Sequence, residues 1–457
     1  MPYRSVNPAT GEVIATFANH TDAELQEALA IAHSLFLSDW SRGPRQRRLE
    51  LLSRVADVLD GRLEELAGIL TEEMGKRITE ARAEVRLSAE ILRFYAKNGA
   101  AFLAPEQIRS PAGDVWVEYH PLGVLVAVEP WNFPYYQLAR VAGPNVAIGN
   151  PVLAKHASIV PRSAVAFETA MLDGGAPQGT WTNMFASGEQ VARLIEDDRV
   201  QGVTLTGSEK AGSIVAAQAG KFLKKSVMEL GGADVFAVLD DADLVEAVAA
   251  GAEARLTGAG QVCNGAKRFL VHEKVAATFL ENFTRIFANT KVGDPRDESV
   301  GLGPLCSVQA RDDLAAQVTR AVTAGATLHF GGRAIEGPGA FLQPTILTNI
   351  TRDNPAYFEE FFGPVAQVYV VRDDEELIAL ANDSHFGLSS AIFTANIERA
   401  KALASRIETG SVWINRRSST APELPFGGVK RSGYGRELSK FGIKEWVNQK
   451  MVVVANE

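Results

Sequence analysis

Short apolar, β-rich runs alternate with helix-like stretches in the chain after residue 124, and this alternation constrains the fold more than any other feature. Four such runs, each followed by turn residues or by helical periodicity, lie at 152–154, 203–206, 227–230 and 235–239. The pattern appears again between residues 368 and 394. Alternation of this kind predicts open sheets of parallel strands that bind ligands at the carboxyl ends of those strands. The chain is therefore predicted to be an α/β protein.

The segment before this region is predicted to be mostly helical. Thr21 and Glu24 have the spacing of a capping box at a helix start. A second amphipathic run, 49–59, is expected to end at Gly61. Residues 114–120 and 124–128, joined by a Pro-Leu-Gly turn, are expected to form a strand pair.

Length and composition limit the classes of function. With 457 residues the chain exceeds one ordinary core, so two or three domains are expected. The sequence has no apolar run long enough to span a bilayer, and no apolar signal core follows Met1. A net charge of −9 argues against non-specific binding to the phosphate backbone of nucleic acid. The two cysteines, Cys263 and Cys306, are too few for a disulfide scaffold and fit a reducing cytoplasm.

A glycine turn and a lysine at the end of an apolar run are candidates for cofactor binding. Gly207 and Ser208 follow a predicted strand and precede a predicted helix, whose N-terminal N–H groups suit a phosphate. The alternative for Gly207 is a left-handed turn without a ligand. Lys155 ends an apolar run and either contacts a ribose or phosphate or is simply solvated.

Three further residues are candidates for catalysis, each with an ordinary alternative. Cys263 lies among small residues, 258–266, and is either a nucleophile or a buried apolar side chain. Glu229 ends a predicted strand and is either a general base or a helix-capping or ion-pairing residue. Asn132 either donates to an oxyanion or makes an ordinary turn before Pro134. Cys306, in apolar surroundings, is expected to be a packing residue.

Taken together, six ordered motifs resemble the aldehyde dehydrogenase superfamily, and the resemblance extends from Val6 nearly to the end of the chain. The motifs are Pro130-Trp131-Asn132-Phe133-Pro134, Leu205-Thr206-Gly207-Ser208, Glu229-Leu230-Gly231-Gly232, Gly260-Gln261-Val262-Cys263, Glu359-Glu360-Phe361-Phe362-Gly363-Pro364 and Pro425-Phe426-Gly427-Gly428-Val429-Lys430-Arg431-Ser432-Gly433. The resemblance favours the catalytic interpretation of Cys263, Glu229 and Asn132.

The resemblance implies an aldehyde-dehydrogenase-like architecture. A Rossmann-type cofactor domain is expected at 1–109 and 125–230, and an α/β catalytic domain at 231–431. A small oligomerisation β-extension is expected at 110–124 and 432–457, in which the strand near 114–120 pairs with residues 451–454. A homodimer or homotetramer is implied.

The chemistry that the resemblance implies is the NAD(P)-dependent oxidation of an aldehyde to a carboxylic acid. Cys263 would attack the aldehyde, and the amide of Asn132 with the backbone N–H of Cys263 would hold the thiohemiacetal oxyanion. After hydride transfer to nicotinamide, Glu229 would activate the water that hydrolyses the thioester.

The resemblance implies cofactor contacts from a further set of residues: Trp131, Lys155, Ser158, Gly207, Ser208, Leu230, Glu360 and Phe362. Ser158 stands where NAD-preferring relatives often carry a glutamate that would repel a 2′-phosphate. NADP and NAD are therefore both expected to be usable, and His156 would add attraction for the phosphate if it were protonated. The seven histidines show no metal-ligand spacing, so no metal is predicted.

The substrate is expected to be succinate semialdehyde. Arg140 lies eight residues after Asn132, the offset at which succinate-semialdehyde dehydrogenases carry an arginine that grips the distal carboxylate. Thr420 is the second expected substrate contact. Some of these enzymes have a further substrate-binding arginine at the position where this chain has Thr257. Two consecutive arginines in a later loop, Arg416 and Arg417, could take over its role, although paired arginines in a loop are usually solvated.

Three alternatives stay open on the sequence. A broad aliphatic or aromatic aldehyde dehydrogenase would use Arg140 only structurally. A thiol esterase would use Cys263 and Glu229 without a cofactor. A non-catalytic homologue is disfavoured by the intact catalytic set. The predicted partner is a small aldehyde, without nucleic acid or membrane, in the cytoplasm.

Overall fold

Parallel strands form the two largest sheets of the protein, as the alternation of the sequence predicts. The structure is a computed structural model that describes residues 3–455. Residues 1–2 and 456–457, which the predicted first and last segments include, lie outside the described residues.

Twenty β-strands lie within residues 3–455. They are β1 (Tyr3–Val6), β2 (Val13–Phe17), β3 (Glu106–Ser110), β4 (Gly113–Pro121), β5 (Val124–Glu129), β6 (Val152–His156), β7 (Trp181–Asn183), β8 (Val200–Thr206), β9 (Lys225–Glu229), β10 (Val235–Val238), β11 (Arg268–His272), β12 (Thr327–Phe330), β13 (Thr345–Thr348), β14 (Val365–Val371), β15 (Phe386–Gly387), β16 (Ser389–Phe393), β17 (Ser411–Ile414), β18 (Val429–Lys430), β19 (Gly433–Tyr434) and β20 (Val447–Val454).

The same described residues form fifteen α-helices and two short 3₁₀ helices, the latter at Thr257–Gly260 and Pro355–Tyr357. The α-helices are α1 (Asp22–Leu37), α2 (Asp39–Arg42), α3 (Gln46–Gly61), α4 (Leu63–Met74), α5 (Ile78–Phe102), α6 (Pro134–Ile148), α7 (Pro161–Asp173), α8 (Gly188–Glu196), α9 (Glu209–Lys221), α10 (Leu244–Leu256), α11 (Glu273–Asn289), α12 (Val308–Thr323), α13 (Asp374–Asn382), α14 (Ile397–Ala404) and α15 (Ser439–Lys444).

The predicted helix signals near the N-terminus are confirmed. The Thr21 hydroxyl accepts from the Glu24 N–H at 3.2 Å, and a Glu24 carboxylate oxygen accepts from the Thr21 N–H at 2.6 Å, which completes the capping box of α1. Helix α3 ends at Gly61, where the sequence predicts a stop.

The first large sheet has the strand order β19-β9-β8-β5-β6-β7, and all its strands are parallel except β19. Helices α6 and α9 follow β5 and β8 directly. Thr206 and Glu229 are register partners at the carboxyl ends of β8 and β9. The sheet therefore brings the turns after β5, β8 and β9 to one edge, where a parallel sheet binds ligands.

The second large sheet has the order β12-β13-β14-β11-β10-β16-β17, with only β12 antiparallel. The ring of Phe269 on β11 packs against Phe236 on the neighbouring β10 and against Phe283 of α11, at ring-centroid distances of 5.3 and 4.9 Å. The segment that carries Cys263 leads into β11 and faces the edge of the first sheet. The α/β fold class is confirmed, because both sheets are mainly parallel and are flanked by helices.

A third, antiparallel sheet has the order β20-β4-β3. Met451 pairs with Val117 and Val454 with Asp114, so the expected pairing of the C-terminal strand is confirmed. The expected pair of residues 114–120 with 124–128 is wrong, because β5 belongs to the first sheet. The N–H groups of Leu122 and Gly123 donate to the Asn150 side-chain oxygen at 2.8 and 3.2 Å, which directs the chain away from a hairpin.

The sheets divide the chain slightly differently from the predicted domain boundaries. Strand β3 begins at Glu106, earlier than the predicted extension, and β19 joins the first sheet although it was assigned to the extension. Side chains of α15 and of the residues after it pack into the core of the first sheet, because Ile443 and Trp446 are buried there. The roles of the domains stay predictions.

No helix within residues 3–455 has both the length and the apolar content that crossing a membrane would require.

Candidate active site

A cavity of about 290 Å³ lies at the edge where the two large sheets meet. Eight predicted site residues line it: Trp131, Asn132, Gly207, Ser208, Leu230, Cys263, Glu360 and Phe362. Residues from five separate motifs thus face one space. The other predicted residues, Glu229, Lys155, Ser158, Arg140 and Thr420, are not among those that line it.

Cys263 follows a backbone segment that only small residues permit. Gly258, Ala259 and Gly260 have φ of 58°, 54° and 73°, in the left-handed region. A Cβ on Gly260 would lie 2.2 Å from the main-chain oxygen of Gly363. The crowding of small residues around Cys263 therefore reflects close backbone packing, which holds the cysteine at the cavity.

The resting thiol of Cys263 is protonated. Burial raises its pKa to about 12, while the positive charges of Lys267 and Arg140 lower it and the carboxyl groups of Glu229 and Asp234 raise it. Catalysis by this thiol therefore needs a change that stabilises the thiolate. Cys306 is buried, and burial likewise raises its pKa to about 12, as a packing residue requires.

The side-chain amide of Asn132 is held from two sides. Its Nδ2 donates to the Gln261 main-chain oxygen at 2.9 Å, which leaves its second N–H for an oxyanion. Its own main-chain oxygen accepts from Lys76 Nζ at 2.9 Å. Lys76 is in turn paired with Glu84, whose carboxylate accepts from the Tyr135 N–H at 2.9 Å at the start of α6. The amide is therefore fixed at the cavity.

Glu229 ends β9 one residue before the cavity wall. Its carboxyl oxygens are buried and have no hydrogen-bond partner among the described protein groups. Burial, followed by the nearby Glu437, raises its pKa to about 8, whereas Arg140 and Arg436 lower it. A carboxyl with this pKa is a base whose strength matches a reaction near neutral pH.

The turn after β8 presents a helix start to the cavity. Gly207 and Ser208 line the cavity, and the Ser208 hydroxyl caps α9 by accepting from the Ala211 N–H at 3.3 Å. Gly207 does not have a left-handed φ, so the alternative of a simple left-handed turn is wrong. The free N–H groups of this helix start can bind a phosphate.

Lys155 lies at the carboxyl end of β6, beside Val128 of β5, and Ser158 follows that strand; neither residue lines the cavity. Lys155 is half-buried; its burial lowers the pKa of its ammonium group, which lies 5.7 Å from the ring centre of Tyr3. Ser158 is exposed. His156 is buried, and burial lowers its pKa to about 4. The condition under which His156 would attract a 2′-phosphate, a protonated ring, is therefore not met at neutral pH.

The wall opposite Gly207 is formed by Glu360, Phe362 and Trp131. The rings of Trp131 and Phe362 meet edge to face, with centroids 5.6 Å apart. The Glu360 carboxylate pairs with Lys267 Nζ at 2.9 Å and accepts from the Gly232 N–H at 3.1 Å.

Arg140 lies about two turns into α6, as predicted, but it does not reach the cavity. Its side chain is 0% exposed and pairs with Glu437. Its Nη2 donates to the Thr206 hydroxyl at 2.9 Å and its Nη1 to the Tyr136 hydroxyl at 3.2 Å. In this structure a substrate carboxylate cannot contact the guanidinium, because protein groups surround it.

Thr420 and the two loop arginines also have protein partners. The Thr420 hydroxyl lies 3.0 Å from that of Tyr136. Arg417 pairs with Glu253 at 2.8 Å, and Arg416 is exposed beside the ring of Trp413, at 5.8 Å. The position of Arg416 is that of a solvated side chain.

Several buried polar residues around the site are not predicted from the sequence. Glu84 could have been noticed, because it interrupts the apolar face of α5 formed by Ala81, Val85 and Ala89. Gln137 lines the cavity one turn after Asn132. Lys267 gave no signal, since a lysine beside an arginine before a strand is normally solvated.

Among residues 3–455, no group of three or more His, Cys, Asp or Glu side chains is arranged to hold a metal ion.

The comparison with known proteins agrees with the motifs. The sequence profile of the Aldehyde dehydrogenase family matches residues 1–452. A relative from Deinococcus radiodurans, named a succinate-semialdehyde dehydrogenase (NADP(+)), is 48% identical over 99% of this chain and 94% of its own length. A relative from Escherichia coli, named a succinate semialdehyde dehydrogenase (NAD(P)+), is 43% identical over 97% of this chain and 96% of its own.

The solved structures agree as well. The crystal structure of succinic semialdehyde dehydrogenase from Streptococcus pyogenes, in complex with NADP+ as the cofactor, is similar to this structure with a TM-score of 0.98. It is 46% identical, and the match covers 99% of this chain and 100% of that one. With a matching family profile along almost the whole sequence and relatives of this identity, the chain belongs to the aldehyde dehydrogenase family.

Proposed function

We propose that the protein oxidises succinate semialdehyde to succinate with NADP, and also with NAD, through a thioester on Cys263. The observation that carries this proposal is the cavity in which Cys263 and Asn132 face the helix start at Gly207 and the carboxylate of Glu360. The full-length relatives support it, because those from Deinococcus radiodurans and Escherichia coli are named succinate-semialdehyde dehydrogenases.

The residues present fit a dinucleotide. The positive end of α9, at Gly207 and Ser208, suits the pyrophosphate, and Lys155 supplies a cation at the end of β6. Ser158 places no carboxylate there, so a 2′-phosphate meets no repulsion. Glu360 and Phe362 would hold the nicotinamide half. When bound, the dinucleotide supplies the two-electron oxidant of the reaction.

The protein's own residues account for the other steps. Cys263 releases its proton to solvent and its sulfur bonds to the aldehyde carbon, while the free N–H of the Asn132 amide stabilises the oxyanion. Once the thioester has formed, Glu229 accepts a proton from a water molecule whose oxygen attacks the carbonyl carbon. The C–S bond then breaks, the acid is released, and Glu229 gives the proton that it took from water to the sulfur of Cys263.

Recognition of the distal carboxylate is proposed to involve a relay of hydrogen bonds that runs from Arg140 through Tyr136 to Thr420. Arg140 Nη1 donates to the Tyr136 hydroxyl, so that hydroxyl can donate to Thr420. The Thr420 hydroxyl is then free to donate to a carboxylate. Arg140 would strengthen the hydrogen bond that Thr420 donates to the substrate. A direct contact between the Arg140 guanidinium and the substrate carboxylate would require the guanidinium to separate from Glu437.

A panel of aldehydes with NADP and with NAD tests the proposal. Succinate semialdehyde should have a higher kcat/KM than butanal, an uncharged aldehyde of equal length. Thr420→Ala should raise KM for succinate semialdehyde about tenfold, the effect of losing a hydrogen bond to a charged group, and leave KM for butanal unchanged. Equal kcat/KM for both aldehydes in the wild type would reject the substrate, and a strong preference for NAD would reject the cofactor.

A second candidate is a broad aliphatic or aromatic aldehyde dehydrogenase. The observation that favours it is the burial of Arg140 against Glu437, which makes the arginine a structural residue. The same panel separates the two candidates, since a broad enzyme would not prefer the charged aldehyde.

We further propose that the protein is a cytoplasmic homodimer or homotetramer assembled through the sheet β20-β4-β3. Apolar side chains on the two edge strands of this sheet are exposed in the monomer: Ile108, Met451, Val453 and Val454. Exposed apolar side chains on an edge strand are typical of a surface that another chain covers.

A further inference from the structure

The ammonium group of Lys267 lies buried beside the nucleophile. The side chain is 1% exposed, and its Nζ donates to the main-chain oxygens of Val262, at 2.8 Å, and of Cys263. It also pairs with Glu360 Oε1 at 2.9 Å. One lysine therefore connects the backbone of the cysteine segment with a carboxylate on the cavity wall.

Glu360 is the partner that a ligand in the cavity can reach. Its side chain is 19% exposed, whereas that of Lys267 is closed off from solvent. It lines the cavity beside Phe362, on the wall assigned above to the nicotinamide half of the cofactor. Its hydrogen bond from the Gly232 N–H, 3.1 Å long, keeps it turned toward Lys267. A ligand that draws this carboxylate into the cavity would separate it from Lys267.

Asp234 is a second carboxyl group at the same place. It is buried, and its carboxyl oxygens have no hydrogen-bond partner among the described protein groups. Both its Oδ1 and the Cys263 main-chain oxygen pack against Gly232: a Cβ added to this glycine would lie 2.8 Å from each of them. Lys267 binds that oxygen of Cys263, and its positive charge lowers the pKa of Asp234, so this carboxyl is within the electrostatic influence of the same ammonium group.

We propose that Lys267 is a positioning residue that couples cofactor binding to the nucleophile: Glu360 neutralises its charge in the free enzyme, and release of Glu360 to the nicotinamide ribose leaves that charge to stabilise the Cys263 thiolate. The inference rests on the dinucleotide site of the proposed function. It assigns to Lys267 the change that the half-buried, protonated thiol of Cys263 needs before it can attack an aldehyde.

The charges around both groups decide the direction of the effect. Cys263 faces the positive Lys267 and Arg140 and the carboxyl groups of Glu229 and Asp234. Of the two cations, Lys267 lowers the thiol pKa more. Asp234 faces Lys267, Glu360, Arg255 and the backbone of Ser389, and burial raises its pKa to about 8.

Asp234 is therefore mostly protonated at neutral pH while Glu360 is paired with Lys267. Once Glu360 leaves, the carboxyl of Asp234 and the thiol of Cys263 compete to ionise beside Lys267. Removal of the competing carboxyl should consequently increase the effect of the cofactor on the thiol, whereas removal of Lys267 should abolish it.

The test is the rate at which iodoacetamide alkylates Cys263, measured at pH 7.5 by mass spectrometry of its peptide, so that Cys306 does not interfere. The rate is compared without ligand, with NADP and with 2′,5′-ADP, which lacks the nicotinamide ribose. One neighbouring charge shifts a pKa by about one unit or more, so NADP should accelerate alkylation about tenfold in the wild type. The fragment 2′,5′-ADP should not accelerate it.

Two variants complete the test. Lys267→Met should lose the acceleration by NADP, and Asp234→Asn, which replaces a neutral carboxyl by an amide of the same shape, should show a larger acceleration than the wild type. The inference is overturned if Lys267→Met keeps the acceleration, if Asp234→Asn reduces it, or if 2′,5′-ADP produces it in full. If Lys267→Met does not fold, the Asp234→Asn and 2′,5′-ADP comparisons still decide.

The dissociation constant of NADP, measured by calorimetry on each variant, separates this inference from the proposed function. If the wild type does not bind NADP, the proposed cofactor is wrong. If it binds NADP and the acceleration does not depend on Lys267, only the coupling through Lys267 is wrong.

Discussion

The buried ion pair beneath Asn132 gives a sharp prediction for stability. The side chains of Lys76 and Glu84 are each 1% exposed and contact each other directly. Lys76 also binds the main-chain oxygen of Asn132, and Glu84 also binds the N–H groups of Tyr135 and Tyr136, at 2.9 and 3.3 Å. The pair thus ties the segment after α4 to the residue that is proposed to hold the oxyanion.

Lys76→Met should lower the free energy of unfolding by about 3–5 kcal/mol, because it leaves the Glu84 carboxylate buried without its cation. The double variant Lys76→Met/Glu84→Gln should regain much of this loss, since no buried charge then lacks a partner and the new side-chain oxygen can still accept from α6. Arg93→Ala is the surface control, because its two partners, Asp57 and Asp60, are 71% and 40% exposed. Each of these surface ion pairs should contribute less than about 1 kcal/mol.

The assay is urea unfolding at one protein concentration, followed by fluorescence, together with the pre-steady-state burst of reduced cofactor. Lys76→Met should shift the midpoint clearly further than Arg93→Ala and should reduce the burst rate, because Asn132 loses one of its anchors. Equal midpoints for Lys76→Met and Arg93→Ala, or a double variant that is no more stable than Lys76→Met, would refute the reasoning.

Three other variants test the remaining assignments. Cys263→Ala should abolish aldehyde oxidation while NADP still binds in calorimetry, and any turnover near the wild-type rate would remove Cys263 from the nucleophile role. The deacylation rate should increase with pH, and the midpoint of this increase should lie near pH 8, because the pKa of Glu229 is raised to about 8 and the base acts when ionised. Glu229→Gln should remove this rise and slow deacylation more than the burst. Val453→Asp, at an exposed apolar position of β20, should lower the oligomeric state in light scattering, and an unchanged mass would exclude this strand from the interface.

The sequence predicted those parts of the fold that local patterns determine. The capping box at Thr21 and the parallel strands before Gly207 and Glu229 depend on residues close together in the chain. Only one of the two partners of β4 is local in this sense. Strand β3 precedes β4 directly in the chain, whereas the partner on the other edge is not the adjacent β5 but β20, which the tertiary fold brings from the C-terminal segment. Local spacing carries no information about that choice.

The candidate site divides in the same way. Motifs identified the residues that line the cavity, since a nucleophile such as Cys263 needs small neighbours and a helix start needs a glycine turn. They did not reveal that Arg140 is enclosed or that Lys267 is buried. Both depend on carboxylates from distant segments, Glu437 and Glu360, which only the folded chain brings near. Long cationic side chains are otherwise expected in solvent.

The enclosure of Arg140 also decides how a variant at this position must be interpreted. Three buried carboxyl groups, Glu129, Glu229 and Glu437, lie around its single guanidinium, and burial raises the pKa of each. Arg140 opposes that rise. Arg140→Ala should therefore raise the pKa of Glu229 further and lower kcat for every aldehyde, charged or uncharged, because less of the base is ionised at neutral pH. Carboxylate recognition would add a second effect, an increase in KM confined to succinate semialdehyde. A variant that loses kcat equally with butanal and succinate semialdehyde, with both KM values unchanged, would show that Arg140 serves the base and not the substrate.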